Sequence, residues 1–326
     1  MTATAPTSPV RVAPPRVLVL GDLVLDVVLQ AAAPIESGTD VPGRVEIRQG
    51  GSAANVARWL ARLGARSQLV CAVGRDGAGR SLVAQLQRDD VRVHAVRIAG
   101  HRTGRIGVLV APSGERSFVA DRRAATRMEP TDLKPEWFDN IELIHLPAYS
   151  LLVEPLGSAG VKAVELARTR GAKGVRVSVD LASVGPLLAH GRREARELVS
   201  RLKPDLVFAT ESEAEALLGR LGPEGLLADA GVVVIKRGPR GARVLTRELG
   251  AGPEVPPLVF DVATTPVAAA DTTGAGDSFD AGFIAGWLTA LRTGHVGTDA
   301  LHRATMAGHR TAARHLRSPR TELPPG

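Results

Sequence analysis

The stretch 267–288, VAAADTTGAGDSFDAGFIAGWL, places two residues without side chains, Gly274 and Gly276, around Ala275 and follows them at once with an acid, Asp277. Phe279, Phe283, Ile284, Trp287, Leu288 and Leu291 recur downstream with helical period, which predicts a helix opening at Gly274–Gly276. The first N–H groups of such a helix have no partner inside it, and the helix dipole adds roughly half a positive charge there. Glycine lets an anion come against that backbone without meeting a Cβ. Asp277 falls in the first turn, where a carboxylate can take a proton from a hydroxyl about to attack the bound anion. The dipole alone also favours an acid at that place, so residue type and position leave a purely structural reading open.

Two further positions carry polar chemistry. In GGSAANVARWLARLGA (50–65), Val56, Trp59, Leu60 and Leu63 form a helical stripe, Ser52 suits the N-cap and Gly64 suits the end. Asn55 is then a mediocre helix former in the first turn with no capping duty, and its amide can both donate to and accept from a polyol hydroxyl. It reads equally as a second cap or a solvent-facing side chain. In GDLVLDVVL, Asp22 and Asp26 share one face by strand period; that face is either simply exposed, or it turns Asp26 into a pocket to hold neighbouring hydroxyls.

The elements that must position these residues alternate along the chain. The runs 16–21, 67–74, 141–146, 175–181, 205–209 and 232–238 read as buried strands, and helical patterns lie near 53–63, 79–88, 157–170, 190–202, 211–219, 275–291 and 298–314. This alternation predicts an α/β fold: a doubly wound, mostly parallel sheet with helices on both faces and ligands at the carboxyl ends of its strands. Two turn-rich stretches, 37–49 and 101–123, break the rhythm with short strands and no helix between them. The Ser113-Gly114 pair predicts a hairpin turn in the second, and together they predict a small antiparallel layer outside the main sheet.

Composition narrows the function. The 326 residues are 44% hydrophobic, enough for one large domain or a domain with an insert. No apolar run reaches about eighteen residues, so no membrane-crossing helix is expected. The single cysteine, Cys71, sits in an apolar run and reads as core packing in a reducing cytoplasm. Residues 1–15 are small, polar and Pro-rich and predict a disordered tail without a secretory h-region. The net charge of +7 raises nucleic acid as a partner, but the arginines are scattered and aromatics make up only 3%, too few for a stacking platform. An anionic substrate accounts for the charge equally well.

The two motifs together resemble the signatures of the ribokinase-like (PfkB) carbohydrate and nucleoside kinases. GGSAANVARWLARLG is similar to the N-terminal signature and DTTGAGDSFDAGFIAGWL to the C-terminal one; the GD-x-x-x-D start, the TG…GER hairpin, ESEAEALLG and KRGPRGA fall in matching places. The resemblance covers residues 16–318 as one kinase domain, with 37–49 and 101–123 as an inserted β-sheet lid and 319–326 as a C-terminal tail. It implies an ATP-dependent kinase acting on a primary hydroxyl of a small sugar. Asp277 would be the general base, with the amides of Gly274, Ala275 and Gly276 as anion hole. Asp26, Gly50, Gly51, Asn55 and Arg123 would bind the acceptor, while Thr273, Lys236, Gly238 and Gly241 would border ATP. Glu213 would act on the phosphates through Mg²⁺ and its waters, and Asp271 is similar to a residue lining a monovalent-cation (K⁺) site in many relatives. The resemblance also implies a homodimer formed through the lid, with no nucleic acid or membrane partner.

Three departures stand out. Thr210 replaces the Asn usual three residues ahead of Glu213, Ala182 follows Asp180 where many relatives carry Asn, and Arg123 and Thr126 stand near a usual Gly-Ala-Asn. Within the class, a nucleoside acceptor is the alternative; it asks for stacking from the lid, which offers only Phe118. An acidic sugar or sugar phosphate would instead use Arg122 or Arg123. A dinucleotide-dependent oxidoreductase would need G-x-G-x-x-G after the first strand, and GDLVLD lacks it.

Overall fold

Strand β1 (Arg16–Leu20) shows why the main sheet is covered on both faces: Val17 and Val19 enter one hydrophobic layer, Leu18 and Leu20 the other. The structure, a computed structural model, describes residues 13–111, 116–189, 191–247, 255–269 and 271–318. The first half of the chain continues with β2 (Val24–Ala31), β3 (Gly43–Gly50), α1 (Ser52–Arg62), β4 (Arg66–Gly74), α2 (Gly77–Arg88), β5 (Arg92–Ile98), β6 (Arg105–Val110), β7 (Arg116–Asp121) and β8 (Leu143–Pro147). The second half holds α3 (Leu156–Arg170), β9 (Arg176–Asp180), α4 (Val184–Ala189), α5 (Arg192–Leu202), β10 (Leu206–Thr210), α6 (Glu211–Leu218), β11 (Val232–Lys236), β12 (Ala242–Thr246), β13 (Leu258–Val262), α7 (Ala275–Arg292) and α8 (Gly297–Arg317).

Among the described residues the main sheet has nine strands in the order β13-β12-β11-β10-β9-β8-β1-β4-β5. Its strands pair in parallel except β12, which runs antiparallel to both β11 and β13. Helices α1, α2, α7 and α8 cover one face, while α3, α4, α5 and α6 cover the other. The chain leaves β1 toward β4 on one side and later toward β8 on the other, so a crevice opens beyond the carboxyl ends at this reversal. Phe208 anchors the α7 side of the core, edge-on to Phe279 and Phe283 with ring centroids at 6.3 and 5.2 Å. Helices α7 and α8 pack closely because Gly286 has no side chain; a Cβ there would stand 2.7 Å from the Cβ of Ala307.

A separate four-stranded sheet has the order β3-β2-β6-β7. The segments 37–49 and 101–123 supply β3, β6 and β7, with β2 pairing antiparallel to β3 and parallel to β6. Asp26 lies in β2 of this smaller sheet, six residues beyond the end of β1 at Leu20. The sequence pattern also gave no sign of the edge strands β5 and β13, of β12 between β11 and β13, or of α4. Residues 13–15 depart from the expected tail: Pro15 accepts from the Arg66 amide at 2.7 Å and Ala13 from the Arg292 side chain. Residues 1–12, the Ser113-Gly114 turn and the tail 319–326 lie outside the described residues. Cys71 is fully buried, and no described helix is long and apolar enough to cross a membrane.

Candidate active site

Helix α7 begins at Gly274, whose φ of 76° is left-handed and favours glycine. Ala275, Gly276 and Asp277 then form its first turn and line a cavity of about 910 Å³, with the Ala275 amide donating to the Thr272 carbonyl at 3.1 Å. That volume suits two small-molecule substrates lying end to end. The Asp277 carboxylate is clamped from α1: the Ser52 hydroxyl donates to Oδ1 at 2.7 Å, and the Asn55 amide donates to Oδ2 at 2.8 Å. Burial pushes the Asp277 carboxyl up to about 6; the two donated hydrogen bonds hold it down, and the Asp180 charge adds to the rise. The group is therefore ionised at neutral pH yet far more basic than an exposed aspartate, the condition a general base requires.

Ser52 is not the helix cap that the sequence predicts. Gly51 holds the cap position with φ 103° and no side-chain bond, which frees the Ser52 hydroxyl for Asp277. Gly50 and Gly51 are needed for space: a Cβ at 50 would run into the Asp26 carboxylate, and one at 51 into the Asp22 carbonyl. The close approach brings Asp26, from the smaller sheet, to the same cavity as Asn55 and Asp277. The Asp26 carboxyl is pushed up to about 7 by burial and by the charges of Asp22 and Asp277, against the pull of Arg48. Near neutral pH it can both donate to and accept from a hydroxyl.

Behind the glycine turn, Lys236 ends β11 with its Nζ between Asp180, at 3.0 Å, and Asp280, at 3.1 and 3.2 Å. A Cβ on Gly276 would lie 3.4 Å from this ammonium. Burial works against the Lys236 charge, but Asp180, Asp280 and Glu213 outweigh it and hold the lysine protonated. Lys236 thus stands behind the glycine turn of α7, further in than a residue bordering only the nucleotide. Asp280, fully buried, was missed in the sequence; its one available signal was an acid on the apolar face of α7, between Phe279 and Phe283.

Glu213 also lines the cavity, and its Oε2 accepts from the Thr210 amide at 2.8 Å while the Thr210 hydroxyl accepts from the Glu213 amide at 3.3 Å. Thr210 is therefore a helix cap, a duty that the expected Asn would equally fill. Burial first, then the Asp180 charge, raises the Glu213 carboxyl. Ala182 lines the same wall with φ 61°, a conformation that Asn adopts more readily. Gly238, φ 56°, faces open space in the cavity wall, whereas Gly241, φ 88°, leaves room for the Val262 carbonyl. No group of three or more His, Cys, Asp or Glu among the described residues could hold a metal by itself.

Two expected roles do not fit the geometry. Arg123 turns outward to Asp121, Nε to Oδ1 2.7 Å, with its side chain 60% exposed; Arg122 lines the cavity instead and pairs with the buried Asp22 at 3.4 Å. Asp271 has both carboxylate oxygens engaged by guanidinium groups: Arg116 Nη1 reaches Oδ1 at 3.2 Å and Arg48 Nη1 reaches Oδ2 at 3.1 Å. Thr273 lines the cavity as expected, its amide donating to Asp271 Oδ1 at 2.9 Å and its carbonyl accepting from His315 Nε2 at 2.7 Å.

A family model described as pfkB family carbohydrate kinase matches residues 14–322. The chain is 30% identical over 275 residues to the probable fructokinase-2 of Arabidopsis thaliana, covering 81% of this chain and 78% of that protein. It is 33% identical over 306 residues to the ATP-dependent ribose-1-phosphate kinase of Halopiger xanaduensis, covering 92% of each. Among solved structures, adenosine kinase from Sinorhizobium meliloti superimposes with a TM-score of 0.78 at 22% identity, covering 95% of this chain and 98% of that one, a likeness of fold.

Proposed function

The chain belongs to the pfkB family of carbohydrate kinases and is an ATP-dependent carbohydrate kinase; on that premise we propose that it phosphorylates a primary hydroxyl of a small sugar with Asp277 as general base. The observation that carries this reading is the buried, doubly hydrogen-bonded Asp277 carboxylate at the bare-glycine N-terminus of α7.

Asp26, Asn55 and the backbone at Gly50–Gly51 hold the acceptor so that its hydroxyl meets Asp277. The carboxylate takes the hydroxyl proton, the oxygen forms a bond to the γ-phosphorus of ATP, and the bond from that phosphorus to the β–γ bridging oxygen breaks, releasing ADP. Charge on the transferring group is received by the amides of Gly274 and Gly276 and by Lys236 beneath them, the Ala275 amide being taken by the Thr272 carbonyl. One such donor is typically worth about 10²- to 10³-fold in rate. The nucleotide lies along Gly238, Pro239, Thr264 and Val267, which line the same cavity. Asp180 and Glu213 fit a Mg²⁺ that keeps its waters and is otherwise held by phosphates; each carboxylate is buried at the cavity, and Asp180 raises Glu213, a mutual repulsion that a divalent cation relieves. When bound, Mg²⁺ neutralises phosphate charge.

The smaller sheet is proposed as the lid of a kinase domain spanning 16–318. Its inner face carries Asp26, Arg48, Arg116 and Phe118; its outer face exposes Val45, Ile47 and Val119 by 62, 42 and 64%, bordered by Arg105 and Asp121. That outer face supports a homodimer formed through the lid. A panel of sugars and nucleosides with ATP and Mg²⁺ tests the activity. Asp277→Asn is expected to lower kcat about 10²- to 10⁴-fold while ATP binding by calorimetry is retained. Near-wild-type turnover in that variant would refute the base assignment.

A further inference from the structure

The loop Asp271–Thr273, which leads directly into the anion hole, has its acceptors supplied by cationic and N–H donors of the protein. Arg116, at the start of β7, reaches three side chains of the loop: Nη1 lies at 3.2 Å from Asp271 Oδ1 and also contacts Thr273 Oγ1, while Nη2 lies at 2.6 Å from Thr272 Oγ1. Arg48, on β3, takes Asp271 Oδ2 at 3.1 Å and is steadied by Glu46, Nε to Oε2 2.8 Å. From the opposite side, His315 on α8 holds the Thr273 carbonyl at 2.7 Å. Trp59 Nε1 donates to His315 Nδ1 at 3.2 Å, so the imidazole carries its proton on Nε2 and donates it to that carbonyl. A small cavity of about 110 Å³ beside the loop is lined by these same groups, Arg48, Arg116, Asp271, Thr273, His315 and Trp59.

A monovalent cation at Asp271 would do three things: neutralise the carboxylate, tie it to neighbouring oxygens and fix the loop that shapes the anion hole. Here two guanidinium groups neutralise the carboxylate, one of them ties it to Thr272 and Thr273, and the imidazole fixes the Thr273 carbonyl. A K⁺ ion placed there would face two fixed positive charges in direct contact with the carboxylate it needs. We propose that Arg116, Arg48 and His315 stand in for a monovalent cation as positioning residues of the anion-hole loop, and that phosphoryl transfer by this protein is independent of K⁺ and Na⁺. Because both arginines come from the lid sheet, the same contacts set the anion hole only when the lid is in place over it.

The inference rests on the kinase reading for its rate measurement but has a second readout that does not. The full-length protein, prepared with Tris-ATP, MgCl₂ and tetramethylammonium chloride, is compared with samples in KCl or NaCl at equal ionic strength. The expected result is the same kcat and the same melting temperature in all three salts. A rate increase or an upward melting shift in KCl over tetramethylammonium would overturn the proposal. Arg116→Gln is expected to lose about 10²-fold in kcat through a displaced anion hole, with a smaller change in the acceptor KM. His315→Gln, which keeps an N–H donor, is expected to retain more activity than His315→Leu. An unchanged kcat in Arg116→Gln, or equal losses in the two His315 variants, would also overturn the positioning role. Where a variant fails to fold, the wild-type salt comparison decides alone. A protein with no kinase activity would refute the kinase reading, and the melting comparison would then decide on its own whether Asp271 takes a monovalent cation.

Discussion

Replacing Asn55 with leucine offers a quantitative test of how α1 tunes the base. The Asn55 amide donates to Asp277 Oδ2 at 2.8 Å, and leucine has nearly the same shape without the donor. Keeping the volume matters, because alanine would admit a water that could replace the lost bond. A hydrogen bond to a charged group contributes about 1.5–3 kcal/mol. At 1.36 kcal/mol per pH unit, its loss raises the Asp277 carboxyl by about one to two units. The starting value is about 6, since burial raises the carboxyl while Asn55 and Ser52 hold it down. The base acts only when deprotonated, so raising its pKa moves the acid limb of activity upward: the variant loses most near neutral pH and recovers in alkali. The assay is a coupled measurement of kcat/KM from acid to alkaline pH; the position of the limb is separate from the general fall expected if Asn55 also binds the acceptor. A profile that drops uniformly with its acid limb unmoved would refute the claim that Asn55 sets the basicity of Asp277.

Gly276→Val should lower kcat more than it weakens ATP binding, because its Cβ would come within 3.4 Å of Lys236 Nζ and its methyl groups would stand over the amides; unchanged turnover in a folded variant would place the anion hole elsewhere. Val119→Lys puts a charge on the outer lid face at its edge strand β7 and should convert a dimer to monomers in sedimentation experiments, with the melting temperature nearly unchanged because Val119 is 64% exposed. A variant with the wild-type oligomeric state would rule that face out as the interface.

Local signals in the sequence came from effects that act within a few residues. The apolar period of 279–291 and the glycines ahead of it located the start of α7, because periodicity and helix-end chemistry need no distant partner. Strands β1, β4, β8, β9, β10 and β11 were legible for the same reason, each being an apolar run short enough to cross a buried sheet once. The run 24–31 was legible as apolar but not as a member of the smaller sheet: its assignment depends on pairing with β3 and β6, and alternation alone does not say which partner a strand will find. Ser52 looked like a cap because capping is a local property, and only the approach of α7 gave its hydroxyl a better acceptor.

The electrostatics of the site were out of reach of any local reading. Lys236 meets Asp180 across 56 residues and Asp280 across 44, and burial decides that all three must be paired. Arg48 and Arg116 reach Asp271 across 223 and 155 residues, and His315 reaches Thr273 across 42. The sequence by itself determined the α/β class, the glycine turn at the start of α7 and Asp277 as the candidate base beside it. The tertiary structure decided how basic Asp277 is, what neutralises the lysine beneath it and which cations occupy Asp271. Those properties depend on distance and desolvation, and both come into existence only when separate parts of the chain close around one cavity.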